Sequence, residues 1–391
     1  MPRRADDDGD FKSGGRYRAD RVALAHALGP AGTRGLKVKL DNIWRGLCLT
    51  HPVQLHLNAL PHDLIVEIIT DFARHHDATL RPNNNYEDWL VASYGRKFAD
   101  LIPMQYGRKY HTTTASNMST DWRGPRMYRP SPEELPRGAL APWNPEVHYI
   151  AHLRYPRKGG LLSHLNKFPS MADIRLGHEA VAVNPRARTV RCAGGKTTTY
   201  GALVSSVPLP DLILMVAGVP QDVVDASRRL ACTTCVLVNV GVDRANLSEG
   251  RITYVYDEDL VFSRRSFPHM LSKHNAPAGC GRVQAEVHFS SKHKPHRAKR
   301  TDRLDGNCRP EEGERREGQG SYPHAVRQRR ALRQFGLSPR TRRGDHDGSR
   351  LPRRRRHPLC GGYGEWGYMW TDEGFISVER AAKSALSAAL V

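Results

Sequence analysis

The reading of the chain turns on residues 83–110, Asn83-Asn84-Asn85-Tyr86-Glu87-Asp88-Trp89-Leu90, continuing to Pro103-Met104-Gln105-Tyr106-Gly107-Arg108-Lys109-Tyr110. Three asparagines and two acids precede a run in which Tyr86, Leu90, Tyr94, Phe98 and Ile102 recur every fourth residue. That spacing places five apolar side chains on one face of a helix. Asn85 can accept from the free N–H groups of the first turn, and Glu87 and Asp88 suit its positive end. Pro103 is expected to stop this helix. A long loop should then run through Tyr106, Arg108, Asp121-Trp122 and Pro130-Ser131-Pro132-Glu133 to Tyr155-Pro156 and Gly159-Gly160.

Outward from this core, 391 residues supply enough chain for two or three domains. The hydrophobic fraction is 39% and the mean hydropathy −0.58, both low for a globular chain. The formal charge of +20 points first to a polyanion partner, but it is unevenly spread. Residues 292–358 hold 21 Lys/Arg against 8 Asp/Glu, a net +13 of the total +20. Seven cysteines follow no disulfide framework, and their number is odd, as in a reducing compartment. Met1-Pro2-Arg3-Arg4 leads into Asp6-Asp7-Asp8 with no apolar core of a secretory signal. No run reaches the roughly 18 apolar residues of a membrane span. A cytoplasmic protein without an integral span is expected.

Upstream of the core, Pro61 before Leu64, Ile68 and Phe72, with Ile65 and Ile69 alongside, predicts a buried helix of about three turns. His51 is read as structural rather than functional, and His75-His76 as partners of a helix end. Downstream, residues 173–216 read as strands over 179–183, 189–192 and 197–207, joined by turns at Asn184-Pro185 and Gly194-Gly195. Further strands are expected at 236–240, 252–256 and 282–289. Cys232-Thr233-Thr234-Cys235 lacks a second ligand pair, which makes zinc a weak reading, and core cysteines are preferred to a redox dithiol. No metal site is expected.

The ordered run Glu87-Asp88-Trp89-Leu90, Tyr94-Gly95-Arg96, Tyr106-Gly107-Arg108-Lys109-Tyr110, Asp121-Trp122, Pro130-Ser131 and Tyr155-Pro156…Gly159-Gly160 resembles FAD-dependent oxidoreductases of the amine-oxidase superfamily. The branches it resembles are protoporphyrinogen-oxidase-like proteins and relatives similar to UDP-galactopyranose mutase. Asn42-Ile43-Trp44-Arg45-Gly46 with His51-Pro52, Ser266-Phe267-Pro268, and Cys360-Gly361-Gly362-Tyr363-Gly364-Glu365-Trp366 carry the same resemblance. It implies an α/β flavoprotein: a partial, Rossmann-like FAD/NAD(P)-binding domain beside an α+β substrate domain of strands and helices.

On that resemblance the chain divides into 1–37 (irregular), 38–172 (helical part of the substrate domain), 173–216 (FAD-domain strands), 217–291 (substrate-domain strands), 292–358 (a basic insert) and 359–391 (a C-terminal FAD segment). The implied FAD contacts are Gly159, Gly160, Ala180, Val181, Gly361, Gly362, Tyr368, Met369 and Asp372, with Ala180 and Val181 on the adenine. Tyr106, Arg108 and Trp122 are the implied substrate-cavity residues. No catalytic nucleophile is implied, because the isoalloxazine performs the redox step. The expected ligand is a small molecule: an amine, a porphyrinogen, a polyene or a nucleotide sugar.

The chain departs from the family in three places. The expected strand, glycine-rich turn and acidic ribose ligand are not found in residues 1–36, where Gly29-Pro30-Ala31-Gly32 has the wrong spacing, so the chain starts inside the family's pattern. Gly362 stands where the family has arginine, and Val378 where it has glycine. Family-like text also stops after Lys292 and resumes at Leu359. The Arg-, Gly- and Pro-rich text between them is what a GC-rich gene yields when read out of frame. The alternative is a basic arm that would make the chain a nucleic-acid-binding protein, though nucleic acid is not the expected partner. A mutase-like isomerase and a member unable to hold FAD also stay open.

Overall fold

A computed structural model describes residues 33–37, 39–75, 85–120, 127–142, 152–295, 325–336, 359–360 and 371–389. In chain order the elements begin with β1 (Thr33–Lys37), β2 (Leu40–Trp44), β3 (Leu47–Thr50), α1 (His62–His75), α2 (Tyr86–Tyr94), α3 (Arg96–Leu101), α4 (Pro103–Tyr110), α5 (Glu134–Leu140) and β4 (His152–Pro156). They continue with β5 (Ala180–Asn184), β6 (Thr189–Cys192), β7 (Thr197–Thr199), β8 (Val204–Ser205), α6 (Leu209–Met215), α7 (Gln221–Arg229), β9 (Ala231–Val242), β10 (Ile252–Val255) and β11 (Arg264–Ser266). The last are α8 (Pro268–Leu271), β12 (Gly281–Phe289), β13 (Ala325–Gly336), β14 (Leu359–Cys360) and α9 (Thr371–Ala389). They fall into two compact units, Ala31–Ser163 with Cys232–Gly336, and His164–Ala231 with Leu337–Val391.

The first unit is built on a seven-stranded sheet of order β13-β9-β12-β11-β10-β2-β3. The β10–β2 pair is parallel, whereas β9–β12, β12–β11, β11–β10 and β2–β3 are antiparallel. Residues alternate between faces along each strand, so the register decides what each face carries. Val287 faces Val236, and Ala285 faces Val238; with Phe289, Val261 and Phe262 they make an apolar face. The opposite parity sets Glu286, Arg264, Tyr254 and Asn42 in one line across four strands. At β9 and β12 one face is hydrophobic and the other, the polar face, carries Glu286, Gln284 and Asn239.

The helices of this unit form its second core. Asn85 caps α2 as expected, its Oδ1 accepting from Asp88 N at 2.9 Å. Tyr86, Leu90, Tyr94, Phe98 and Ile102 are all buried, as the four-residue spacing requires. They do not lie on one continuous helix. Gly95, at φ +80°, separates α2 from α3 because a Cβ there would meet Phe72 N at 2.9 Å and Asp71 Oδ2 at 2.7 Å. The backbone of α1 presses too close for any side chain. Ile65, Ile68 and Phe72 supply the buried stripe of α1, while Pro61 stands just before its first residue.

Three sequence expectations give way here. Pro103 starts a helix rather than beginning a loop: a missing N–H costs nothing in a first turn, and α4 runs through Tyr110. The strand expected over 197–207 splits into β7, which joins the β5–β6 meander, and β8, which pairs in parallel with β14. Within the basic stretch 292–358, Ala325–Gly336 is a twelve-residue strand at the edge of the large sheet. Likewise Thr33–Lys37, within the expected irregular segment, is a strand paired with β4.

In the second unit, β5, β6 and β7 form an antiparallel meander. Asn184 Oδ1 accepts from Arg186 N (3.1 Å) and Ala187 N (3.0 Å), which closes the turn read from Asn-Pro. Helix α9 lies on β8 and β14. Ser377, Ala381 and Ala385, spaced by four, are its buried residues, and small side chains let the helix sit close to the strands. Among the described residues, no helix is long and apolar enough to cross a membrane.

Candidate functional site

The polar face of the large sheet concentrates the chemistry of the first unit. Arg264 Nη2 donates to Glu286 Oε1 at 2.6 Å between directly opposed residues of β11 and β12. Arg282 Nη2 and Gln284 Nε2 each donate to Asn239 Oδ1 at 2.9 Å. Two donors on one oxygen fix the amide's orientation, and Asn239 Nδ2 is left buried without an acceptor among the described residues. Arg264 Nε is in the same state. Each such group costs about 1–3 kcal/mol unless an acceptor reaches it.

An aromatic wall adjoins these groups. Tyr106, from α4, stacks on Tyr110 with ring centroids 5.5 Å apart and meets Tyr254 (5.6 Å) and Tyr256 (5.5 Å) edge-on. Tyr256 Oη donates to Asn42 Oδ1 at 3.1 Å, and His51 Nδ1 lies 3.2 Å from the same oxygen. The His51 ring sits 5.2 Å from Tyr254. His51 is thus a half-buried partner of a buried asparagine. Burial raises the Tyr256 hydroxyl well above the usual phenol range, so it stays a donor.

Tyr106 and Arg108 point to different places. Two residues apart on a helix they face opposite sides, and Arg108 donates a bidentate pair of hydrogen bonds to Glu258, Nε to Oε1 at 2.8 Å and Nη2 to Oε2 at 2.6 Å. With Lys109, Lys294, Leu260, Val261, Phe289 and Pro295 it lines a separate cavity of about 430 Å³. Lys109 is buried there, Nζ donating to Val255 O (2.8 Å) and Asp257 O (2.6 Å). Burial pulls its ammonium down to about 8. Trp122 lies outside the described residues.

Of the residues assigned to FAD, Gly159 and Gly160 follow β4 at φ +86° and +65°, a left-handed pair that glycine alone adopts freely. Ser163 Oγ donates to Gly160 O at 2.8 Å, and Ser272 Oγ holds Arg157 O just upstream. Ala180 and Val181 open β5 in the second unit, where the β5–β6 register shifts between Ala180 and Ala182 and leaves Val181 at the bulge. Asp372 is the second residue of α9. Gly361, Gly362, Tyr368 and Met369 lie outside the described residues. In the sequence they fall between β14 and α9.

Cys232 and Cys235 stand three positions apart on one strand and so face opposite sides of the sheet, against a dithiol reading. Sequence reasoning missed Lys109, His111 and the Cys235/Glu286/His288 grouping. The alternation Glu286-Val287-His288 was the available signal, but its partner strand could not be known.

Helices and mixed sheets of this arrangement are shared with solved structures of known proteins. Reduced UDP-galactopyranose mutase is similar at TM-score 0.75 and 20% identity, over 96% of this chain and 85% of that one. The putative protoporphyrinogen oxidase from Exiguobacterium sp. 255-15 is similar at TM-score 0.60 and 14% identity (95% and 84%). Cyclohexylamine oxidase from Brevibacterium oxydans IH-35A follows at 0.59 and 11% (96% and 86%). The likeness at these identities is one of fold, and no family model matches the sequence.

Proposed function

We propose that the chain is an FAD-dependent enzyme that takes a small polar substrate on the polar–aromatic face of the seven-stranded sheet. What supports this reading is the fold shared over 96% of the chain, together with that face's unmet donors, Asn239 Nδ2 and Arg264 Nε. A ligand with acceptor oxygens would satisfy both. Tyr106, Tyr254 and Tyr256 would orient it by ring contact and exclude water, and Tyr256 would remain protonated as a donor. Gly159, Gly160, Ala180, Val181, Gly361, Gly362, Tyr368, Met369 and Asp372 are the proposed FAD contacts, with α9's N-terminus facing phosphate. Bound FAD would supply two-electron chemistry, accepting hydride from a C–N or C–C bond. Arg108 is engaged by Glu258, which leaves Tyr106 as the assigned cavity residue on this face.

A second reading, a non-oxidative isomerase, is favoured by the higher TM-score to reduced UDP-galactopyranose mutase. Anaerobic mixing of the FAD-loaded chain with amines, porphyrinogens and nucleotide sugars separates the two. Bleaching of the flavin band by an amine or a porphyrinogen supports the oxidoreductase. Turnover of a nucleotide sugar only after prior reduction supports the isomerase. Absence of both overturns the proposed enzyme.

A further inference from the structure

On the polar face, β9 and β12 bring three donor types to one point. Cys235 and His288 are direct partners in the antiparallel register. Glu286 precedes His288 by two residues and therefore shares its face. Their ligand atoms, a thiol sulfur, a carboxylate oxygen and an imidazole nitrogen, all lie within 4.8 Å of one another. The residues are 2%, 7% and 1% exposed. A carboxylate and an imidazole are costly away from water unless partnered, and here both lie against a buried thiol.

We propose that Cys235, Glu286 and His288 bind a single thiophilic divalent ion, zinc foremost. A tetrahedral ion holding sulfur at about 2.3 Å and nitrogen or oxygen at about 2.0–2.2 Å needs donors roughly 3.3–3.8 Å apart, which small side-chain rotations reach from the present spacing. Two ligands are already oriented from behind. Arg264 holds Glu286 Oε1 at 2.6 Å, and Ser263 Oγ lies 3.0 Å from His288 Nδ1, the outer-shell support that metal ligands use. Sulfur and imidazole donors select against magnesium and calcium, which take oxygen. Thiolate and carboxylate charges together neutralise a dication, with Arg264 beyond them.

Without an ion, burial and the Glu286 charge push the Cys235 thiol up to about 12. Coordination replaces that proton with the ion, and the proton leaves to solvent. Three protein ligands leave a fourth position for water or another small ligand. Cys232, on the opposite face, takes no part.

Titration of the full, FAD-free chain with Co²⁺ tests the site, with Zn²⁺ competition. One equivalent should produce a thiolate-to-cobalt charge-transfer band that zinc abolishes. Cys235→Ser should lose the band, Ser263→Ala should weaken affinity by about 10- to 100-fold, and Cys232→Ser should leave band and affinity unchanged. Zinc should also shield Cys235, but not Cys232, from alkylation in the unaltered chain, a readout that survives if a variant fails to fold. A chain that shows no band and no shielding, or a band retained in Cys235→Ser, overturns the proposal.

Discussion

Arg264 and Glu286 face each other across neighbouring strands at 2.6 Å, with side chains 29% and 9% exposed. This pair begins the line that continues through Tyr254 to Asn42. A charge held this deep depends on its partner. Arg264→Met should therefore lower stability by about 3–5 kcal/mol, read as a shifted urea midpoint. Adding Glu286→Leu should restore most of the loss, because no lone carboxylate then remains buried.

Gly95 is fixed by the approach of α1. Gly95→Ala meets both a positive φ and the Phe72 backbone, and should cost about 2–4 kcal/mol. Gly194→Ala, in an open turn with nothing near its added carbon, is the matched control and should stay close to neutral in the same urea titration.

His111 is buried beside His288, and burial first, then that neighbour, pull its imidazolium down to about 3. The unfolded chain gains a proton as pH falls through about 6.5, while the folded one gains it only near 3. Stability contributed by this group is therefore complete above pH 6.5 and lost between 6.5 and 3, on the order of 4 kcal/mol. His111→Gln should flatten the slope of urea midpoint against pH over that window.

Lys109 titrates the other way from a surface lysine. Its folded value near 8 lies below the ordinary 10.5, so the unfolded chain holds the proton over that interval and stability rises with pH from about 8 to 10.5. Lys109→Met should remove this rise and, by stranding the carbonyls of Val255 and Asp257, cost about 2–4 kcal/mol at neutral pH.

Much of the fold was legible where one period dominated. The four-residue spacing from Tyr86 to Ile102, the Asn85 cap and the strands expected at 179–183, 189–192, 236–240 and 282–289 follow from local pattern and fall within or next to observed strands. Local pattern failed where a distant neighbour decides. Pro103 has two local readings, as a stop and as a first-turn residue, and only the packing of α4 on β12 chooses between them. Tyr106 and Arg108 read as one pair of cavity residues, but helix geometry separates them. The Cys235–Glu286–His288 cluster depends on a register between strands some fifty positions apart, which no single-strand periodicity encodes.

The central claim is that this fold still holds a flavin. Titrating the purified chain with FAD while following quenching of flavin fluorescence addresses it most directly. The account predicts saturable, one-to-one quenching, weakened when Ala180 and Val181, the proposed adenine contacts, are replaced by aspartate. FAD fluorescence that stays unchanged at saturating protein, with the chain folded by circular dichroism, would contradict it.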